Sequence, residues 1–356
     1  MIISRTPYRI SFFGGGTDYP AWYRQHGGAV LACTIDKYCY LTCRYLPPFF
    51  EHRFRVVYRE IETCQTVAEI RHPSVRATLQ SMGFDRGLEL HHDGDLPARS
   101  GMGTSSAFTV GLLHAIHALK GEMPTKMQLA LESIHIEQHL LQETVGSQDQ
   151  VMAAYGGLRH VRFGTDGSIS VEPVILPPER LAELQNHLML FYTGIRRTSS
   201  DIAKSYVEQI GERERQLHVL AELVEESLDI LTSGTDIRAF GDLLHEGWQI
   251  KRQLSPRVSN NRVDSLYERA RAAGALGGKL TGAGGGGFLL LFVPPEKRTS
   301  VLQALDRQIH VPFHFEKAGS QIICNEPGVD YQEIEEIRRT QTNVTFDELD
   351  ALALPV

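Results

Sequence analysis

From Leu96 to Ala107 the chain reads Leu-Pro-Ala-Arg-Ser-Gly-Met-Gly-Thr-Ser-Ser-Ala. It runs on into Phe108, Val110, Leu112, Leu113, Ile116 and Leu119, spaced as one face of a helix that Gly121 stops. A loop of Gly, Ser and Thr that opens into an apolar helix suits anions. The first helical amides lack internal partners, and the helix dipole is positive there. Gly101 and Gly103 clear side chains from a ligand's path, while Thr104, Ser105 and Ser106 offer hydroxyls as donors or metal ligands. The pattern describes a phosphate cradle made without lysine. A Walker loop would need Gly-Lys-Ser/Thr where Ser105-Ser106 stand. Gly101-x-Gly103-x-x-Ser106 lacks the third glycine of a dinucleotide or protein-kinase loop, and no protein-kinase catalytic-loop signature occurs elsewhere.

Glycine clusters recur at both ends of the chain. Gly14-Gly15-Gly16 permits a tight turn that presents Thr17 and Asp18. Seven glycines fall within 277–287. Glycine costs up to ~1 kcal/mol relative to alanine inside regular structure, so this run points to a backbone that must approach a ligand or another loop. Two further carboxylates stand near helix signals, Glu137 within an apolar-periodic stretch and Asp149 just after Gly146-Ser147. Taken singly, Asp18 reads as a turn cap, Asp149 as a helix-start acid and Glu137 as a surface carboxylate.

The elements that must position these residues follow from periodicity and breakers. Strands are expected over 1–10, as a hairpin or meander over 29–44, and over 53–58 and 87–93. Helices are expected over 73–82, from 108 to Gly121, and from Pro124 to near Gly146. A new segment starts at Ser147 and ends at Gly156-Gly157, before strands around the Thr165-Asp166-Gly167 turn. Pro177-Pro178 marks the expected boundary between an N-terminal domain, 1–178, and a C-terminal domain, 179–356. Beyond it come a strand at 188–192, helices over 200–231, 236–254 and 262–273, and a buried strand at 288–293. A helix over 297–308, an edge strand over 311–315 and a polar tail from Glu326 with one weak helix complete the pattern.

At 356 residues, two domains are the natural expectation, and 42% apolar content is ordinary for a globular protein. A net charge of -7 argues against nucleic acid or an anionic membrane as partner. No apolar run reaches spanning length and the first residues are not a secretory signal, so a cytoplasmic location is expected. The five cysteines match no zinc or redox spacing, and Cys33, Cys39 and Cys43 read as reduced packing residues. His135 and His139 lie one helical turn apart, but Ile136 occupies the position where a zinc-protease helix needs glutamate.

Three motifs together resemble those of the GHMP small-molecule kinases. They are Pro7-Tyr8-Arg9-Ile10 with Gly14 to Tyr19, Pro97 to Ala107, and Lys279 to Gly287. Within that superfamily, three stretches look most like the bacterial heptose 7-phosphate kinases, with fucokinase a near relative: Gly14 to Pro20, Gly28 to Asp36, and Gly146-Ser147-Gln148-Asp149-Gln150. Galactokinases are similar at Arg9, Thr17, Asp18 and Tyr19 but carry Glu-His where Gly15-Gly16 stand here. The resemblance implies a two-domain α+β fold with the active site in the inter-domain cleft.

It also implies ATP as phosphate donor, Mg²⁺, and a small sugar phosphate as acceptor, modified at its anomeric hydroxyl on the way to nucleotide-activated heptose for surface polysaccharide. Asp149 would take the acceptor's proton, with Arg9 beside it to steady the moving phosphoryl group. Pro97, Ser100, Gly101, Met102, Gly103, Thr104, Ser105 and Ser106 would bind the nucleotide, and Ser106 and Glu137 the metal. Gly15, Gly16, Thr17, Asp18, Gly284 and Gly285 would border the sugar. A second phosphate needs a basic pocket, for which Lys251 and Arg257 are the first candidates, followed by Arg196 and Arg197. A homodimer is compatible with this reading. Its rivals are a kinase for fucose, mannose or galactose, and a non-catalytic sensor of the same fold.

Overall fold

The computed structural model describes residues 1–195, 199–207, 210–326, 328–329 and 331–341. Strand β1 (Ile2–Phe13) ends in the Gly14–Tyr19 turn and helix α1 (Pro20–His26), whose proline sits in the first turn where no amide partner is lost. The expected hairpin over 29–44 is a single 18-residue strand, β2 (Gly28–Tyr45). No turn is needed, because β1 lines one edge of β2 and three shorter strands share the other. Its register with β1 shifts twice, between Pro7 and Tyr8 and between Ser11 and Phe13.

The chain continues through β3 (Phe54–Val57), β4 (Ile61–Cys64), α2 (Pro73–Ser81), β5 (Leu88–Gly94) and α3 (Thr104–Leu119). Helix α4 (Lys126–Ile134) passes into a π-helical turn at His135–Leu140 and stops short of the expected Gly146. Helix α5 (Gln148–Tyr155) and strands β6 (Leu158–Phe163) and β7 (Ile169–Pro173) follow. In this sheet β13 (Gln321–Asn325), β1, β2, β5, β3 and β4 lie side by side. The other half of β2 pairs with β6 and with β12 (Phe315–Glu316). Cys33, Cys39 and Cys43 are free and buried in it.

A second, antiparallel sheet orders β11 (Ile309–His310), β8 (Leu188–Tyr192), β10 (Phe288–Phe292) and β9 (Gly277–Leu280). Every residue of β10 is buried, which suits a central strand covered on both faces. Around it lie α6 (Pro178–Asn186), α7 (Ser199–Val207), α8 (Glu214–Thr232), α9 (Arg238–Arg252), α10 (Asn261–Ala272) and α11 (Arg298–Ala304), with α12 (Gln332–Thr340) at the end. Gly247 does not break α9.

The expected strand over 311–315 is split. Residues 309–310 belong to the second sheet and 315–316 to the first, so the chain changes sheets between them. The unit expected over 179–356 therefore does not keep its strands to itself, since β12 and β13 close the first sheet. Strand β9 has no strand pattern in its sequence, because its Gly-Gly start has the composition of a loop. A Cβ on Gly277 would lie 1.9 Å from the Gly241 carbonyl oxygen, so α9 packs on bare backbone there.

The two sheets are joined at the end of β1. Phe12 and Phe13 meet Phe240 of α9 edge-on, with centroids 5.6 and 5.1 Å away. Buried Lys279 of β9 donates to the Phe12 carbonyl at 2.7 Å. At Gly287, with φ 91°, a Cβ would lie 2.0 Å from the Ser100 carbonyl oxygen, so the third glycine loop rests on the second. Gly287→Ala should therefore destabilise the protein by about 2 kcal/mol or more, from left-handed strain plus overpacking, and weaken nucleotide binding. Gly83 also has positive φ but open space around it, so Gly83→Ala should cost about 1 kcal/mol and leave binding intact. Denaturation midpoints and a nucleotide titration of the two variants check this.

Candidate active site

The phosphate loop has the geometry its composition suggested. Gly103, with φ 71°, is the N-cap of α3, and no side chain caps that end. Gly101 has φ 80° and Arg99 φ 58°. The first-turn amides are thus left for a ligand, beside the positive end of a 16-residue helix. A Cβ on Gly103 would sit 3.3 Å from Arg9 Cγ and 3.5 Å from Asp149 Cγ, so this glycine lets the loop lie directly against that pair.

Arg9 is 3% exposed and fully engaged. Its Nε and Nη2 donate to the two Asp149 carboxylate oxygens at 2.7 and 2.8 Å, and its Nη1 donates to the Gly101 carbonyl at 2.8 Å. Its backbone amide donates to the Met102 carbonyl at 3.1 Å. One residue of β1 thereby fixes the phosphate loop and the first-turn carboxylate of α5 relative to each other. The planar guanidinium fork is what allows this two-pronged grip.

Asp18 is buried, which raises its carboxyl above the ordinary range, with Asp149 adding to the rise. The Gly16 and Gln148 amides, at 3.0 and 3.4 Å, act in the other direction. A Cβ on Gly146 would fall 1.9 Å from Asp18 Oδ2, so bare backbone is required beside this acid. The Glu137 side chain, expected at the surface, is fully buried instead. The π-helical turn carries it beneath α3, where Oε2 accepts from Ser106 Oγ at 2.8 Å and from Gln150 Nε2 at 2.5 Å. Burial pushes Glu137 up to about 7, against the pull of the Ser106, Thr109 and Gln150 side chains. Its Oε1 is buried with no hydrogen-bond partner among the described residues. A buried carboxylate with an orphaned oxygen beside a helix-start hydroxyl suits a hard divalent cation, so Ser106 and Glu137 fit Mg²⁺.

Apart from Glu137, which is buried outside its wall, these groups share one cavity of about 200 Å³, lined by Arg9, Gly15, Gly16, Asp18, Gly101, Gly103, Thr104, Ser105, Ser106 and Asp149. Lys251 of α9 and Gly282 close it from the second sheet's side, Lys251 Nζ donating to the Gly282 carbonyl at 2.6 Å. The volume is below the ~300–1,000 Å³ of a typical ligand cleft, so it bounds the point where the loops converge and not a whole nucleotide site. A larger cavity of about 470 Å³ lies at α12, but it holds none of the three glycine loops.

Several expected residues stand elsewhere. Thr17 is buried and braces its own turn, donating to the Gly14 and Ala29 carbonyls at 2.8 and 2.9 Å, so it does not face a sugar. Met102 is core, Ser100 is buried and Pro97 half-buried, and none of the three lines the cavity. Gly284 and Gly285 pack on Val258, the Gly285 amide donating to its carbonyl at 2.7 Å. Gly282 and Ala283 line the cavity in their place. Arg257 is exposed and outside the cavity. Arg196 and Arg197 lie outside the described residues. Ser11, Gln148 and Glu143 line the cavity without having been singled out. Ser11 carried a signal, a hydroxyl one turn before the first glycine cluster, whereas Glu143 had none.

Two family models match the chain: the GHMP kinases N terminal domain over residues 68–157 and GHMP kinases C terminal over residues 220–310. The chain belongs to the GHMP kinases. It is 26% identical over 318 residues to the D-glycero-alpha-D-manno-heptose 7-phosphate kinase of Campylobacter jejuni, covering 86% of this chain and 94% of that one. The galactokinase of Pyrococcus furiosus is 24% identical, with 88% and 94% covered. The L-fucokinase/L-fucose-1-P guanylyltransferase of Bacteroides fragilis is 26% identical over 82% of this chain, which spans only 34% of that longer protein. The crystal structure of a D-glycero-D-manno-heptose 1-phosphate kinase from Bacteroides thetaiotaomicron superposes with a TM-score of 0.75 at 22% identity, covering 91% and 99% of the two chains. That likeness speaks for the α+β fold.

Because burial raises Glu137, its ionisation costs stability in the metal-free protein. The stability is present below the unfolded glutamate's pKa and is lost as pH rises through about 7. Metal-free Glu137→Gln should therefore be more stable than the parent at about pH 8 by about 1–3 kcal/mol, with the gap closing near pH 5, while losing Mg²⁺-dependent activity. Denaturation in chelator at the two pH values measures this.

Proposed function

We propose that the chain is an ATP-dependent kinase for the anomeric C1 hydroxyl of D-glycero-D-manno-heptose 7-phosphate, giving the 1,7-bisphosphate. This step would feed nucleotide-activated heptose for surface polysaccharide. The observation that carries the proposal is the convergence of Arg9, Asp149 and the Gly101–Ser106 loop on one cavity, with Asp18 in its wall. Family membership supports a kinase that acts on a sugar. The heptose kinase relative, matched along nearly its full length, supports the acceptor. Gly15 and Gly16 leave room for a sugar bulkier than galactose.

Phosphoryl transfer needs in-line positioning and neutralised charge more than covalent help. Asp149 would accept the proton as the C1 oxygen bonds to the γ-phosphorus and ADP leaves. An anomeric hydroxyl is more acidic than an ordinary alcohol, so a carboxylate suffices as base. Each Asp149 oxygen keeps a lone pair beyond its bond to Arg9. Arg9 holds that carboxylate against the loop and spreads positive charge where the phosphoryl group moves. The α3 amides would bind phosphate oxygens, and Asp18 would accept from sugar hydroxyls. Mg²⁺, when held by Ser106 and Glu137, neutralises charge on the phosphates. Lys251, the one cavity-lining candidate among the described basic residues first considered, would meet the 7-phosphate.

Asp149→Ala should lower kcat by ~100-fold or more while nucleotide still binds; wild-type turnover in that variant would remove Asp149 from the mechanism. Lys251→Ala should raise KM for heptose 7-phosphate far more than for unphosphorylated heptose, and an equal effect on both would detach Lys251 from the phosphate. A coupled ADP-release screen over heptose 7-phosphate, heptose, mannose, fucose and galactose tests the acceptor, with NMR of the product fixing the modified hydroxyl. Preference for fucose or galactose would favour the other sugar-kinase relatives.

A further inference from the structure

Apart from the residues assigned to phosphoryl transfer, helices α1 and α8 bring together His26, Glu214 and His218. All three are exposed, and the nitrogen and carboxylate atoms they offer lie within 4.8 Å of one another. Among the described residues this is the only such group of three or more. His218 Nε2 stands 3.6 Å from Glu214 Oε1, one helical turn away on α8. The His26 ring is stacked on Trp22, with centroids 4.1 Å apart and planes at 23°. Trp22 also meets the His218 ring edge-on at 5.0 Å. Trp22 is only 1% exposed, so its ring is fixed by the core and holds both imidazoles against one surface.

Two imidazoles and a carboxylate are the donor set of zinc-type ions, with bonds of ~2.0–2.2 Å. Half-exposed side chains on helices can rotate to close those distances. Three protein ligands leave a position for water, and His26 and His218 also line an open surface groove with Glu222 and Glu225. The other face of α8 reaches the first glycine loop. Leu217 Cδ2 lies 3.0 Å from where a Cβ on Gly16 would be, and Val224 Cγ2 lies 2.8 Å from that of Gly14. An ion at this place would therefore tie α1, which follows Asp18 directly, to the helix that walls the same loop.

We propose that His26, Glu214 and His218 form a binding site for a first-row transition dication of the zinc type, which clamps α8 to α1. The full chain is titrated with Zn²⁺ in Mg²⁺-containing buffer, by calorimetry and by thermal melting. The wild-type chain should take up one zinc ion at this site and melt at a higher temperature. His218→Ala and, separately, Glu214→Gln should weaken that uptake by about 10–100-fold or more, the range already seen when only a ligand's supporting partner is lost. Both should abolish the melting shift and leave zinc-free kinase activity unchanged. No uptake by the wild type, or undiminished uptake by both variants, overturns the site.

Discussion

A buried arginine with all three guanidinium nitrogens engaged holds this structure in working order. Arg9 is nearly without solvent, and a lone guanidinium there would be costly. Asp149 and the Gly101 carbonyl remove that cost by taking three of its N–H groups. The converse also holds. The Arg99–Gly103 loop has positive φ at Arg99, Gly101 and Gly103, and Arg9 together with the buried Met102 side chain gives it a fixed support. The Ser100 carbonyl on the loop's far side is covered by Gly287. The cradle is thus pinned from β1 on one side and from the second sheet on the other.

Asp149, Asp18 and Glu137 lie close together in three different surroundings. Asp149 is partly exposed and gripped by arginine. Asp18 is buried and answered only by backbone amides. Glu137 is buried deepest, with one oxygen shared by Ser106 and Gln150 and the other orphaned. Glu137 thus carries the cost of burial with one oxygen unanswered, whereas Asp149 is already paired with a guanidinium. Burial, followed by Lys251 and Arg9, holds the Lys279 ammonium well below its usual range, with Asp18 acting in the other direction.

Much of this was legible in the order of residues. The loop-to-helix transition at Gly103, the apolar strand at 288–292 and the turn at 165–167 each follow from local pattern, because glycine, a helical apolar face and a β run act over a few neighbours. The motif set at Arg9, Asp18 and Asp149 pointed to phosphoryl transfer only through its resemblance to the GHMP kinases, since singly Asp18 and Asp149 read as a turn cap and a helix-start acid. The glycine excess within 277–287 announced a close approach without saying to what.

What approaches what was settled only by the fold. Whether Glu137 faces solvent or the core depends on a π-helical turn that shifts the register of its helix, and nothing in its neighbours' hydropathy marks that shift. That Gly284 and Gly285 serve Val258 while Gly282 meets the cavity, or that Thr17 braces its own turn against Ala29, depends on partners outside the local run of residues. The single long β2 likewise exists because three separate segments, one of them near the C-terminus, find its second edge. Local sequence encodes the conformations a segment can take, but burial and pairing are properties of the pair, and a pair is chosen only when the whole chain has closed around it.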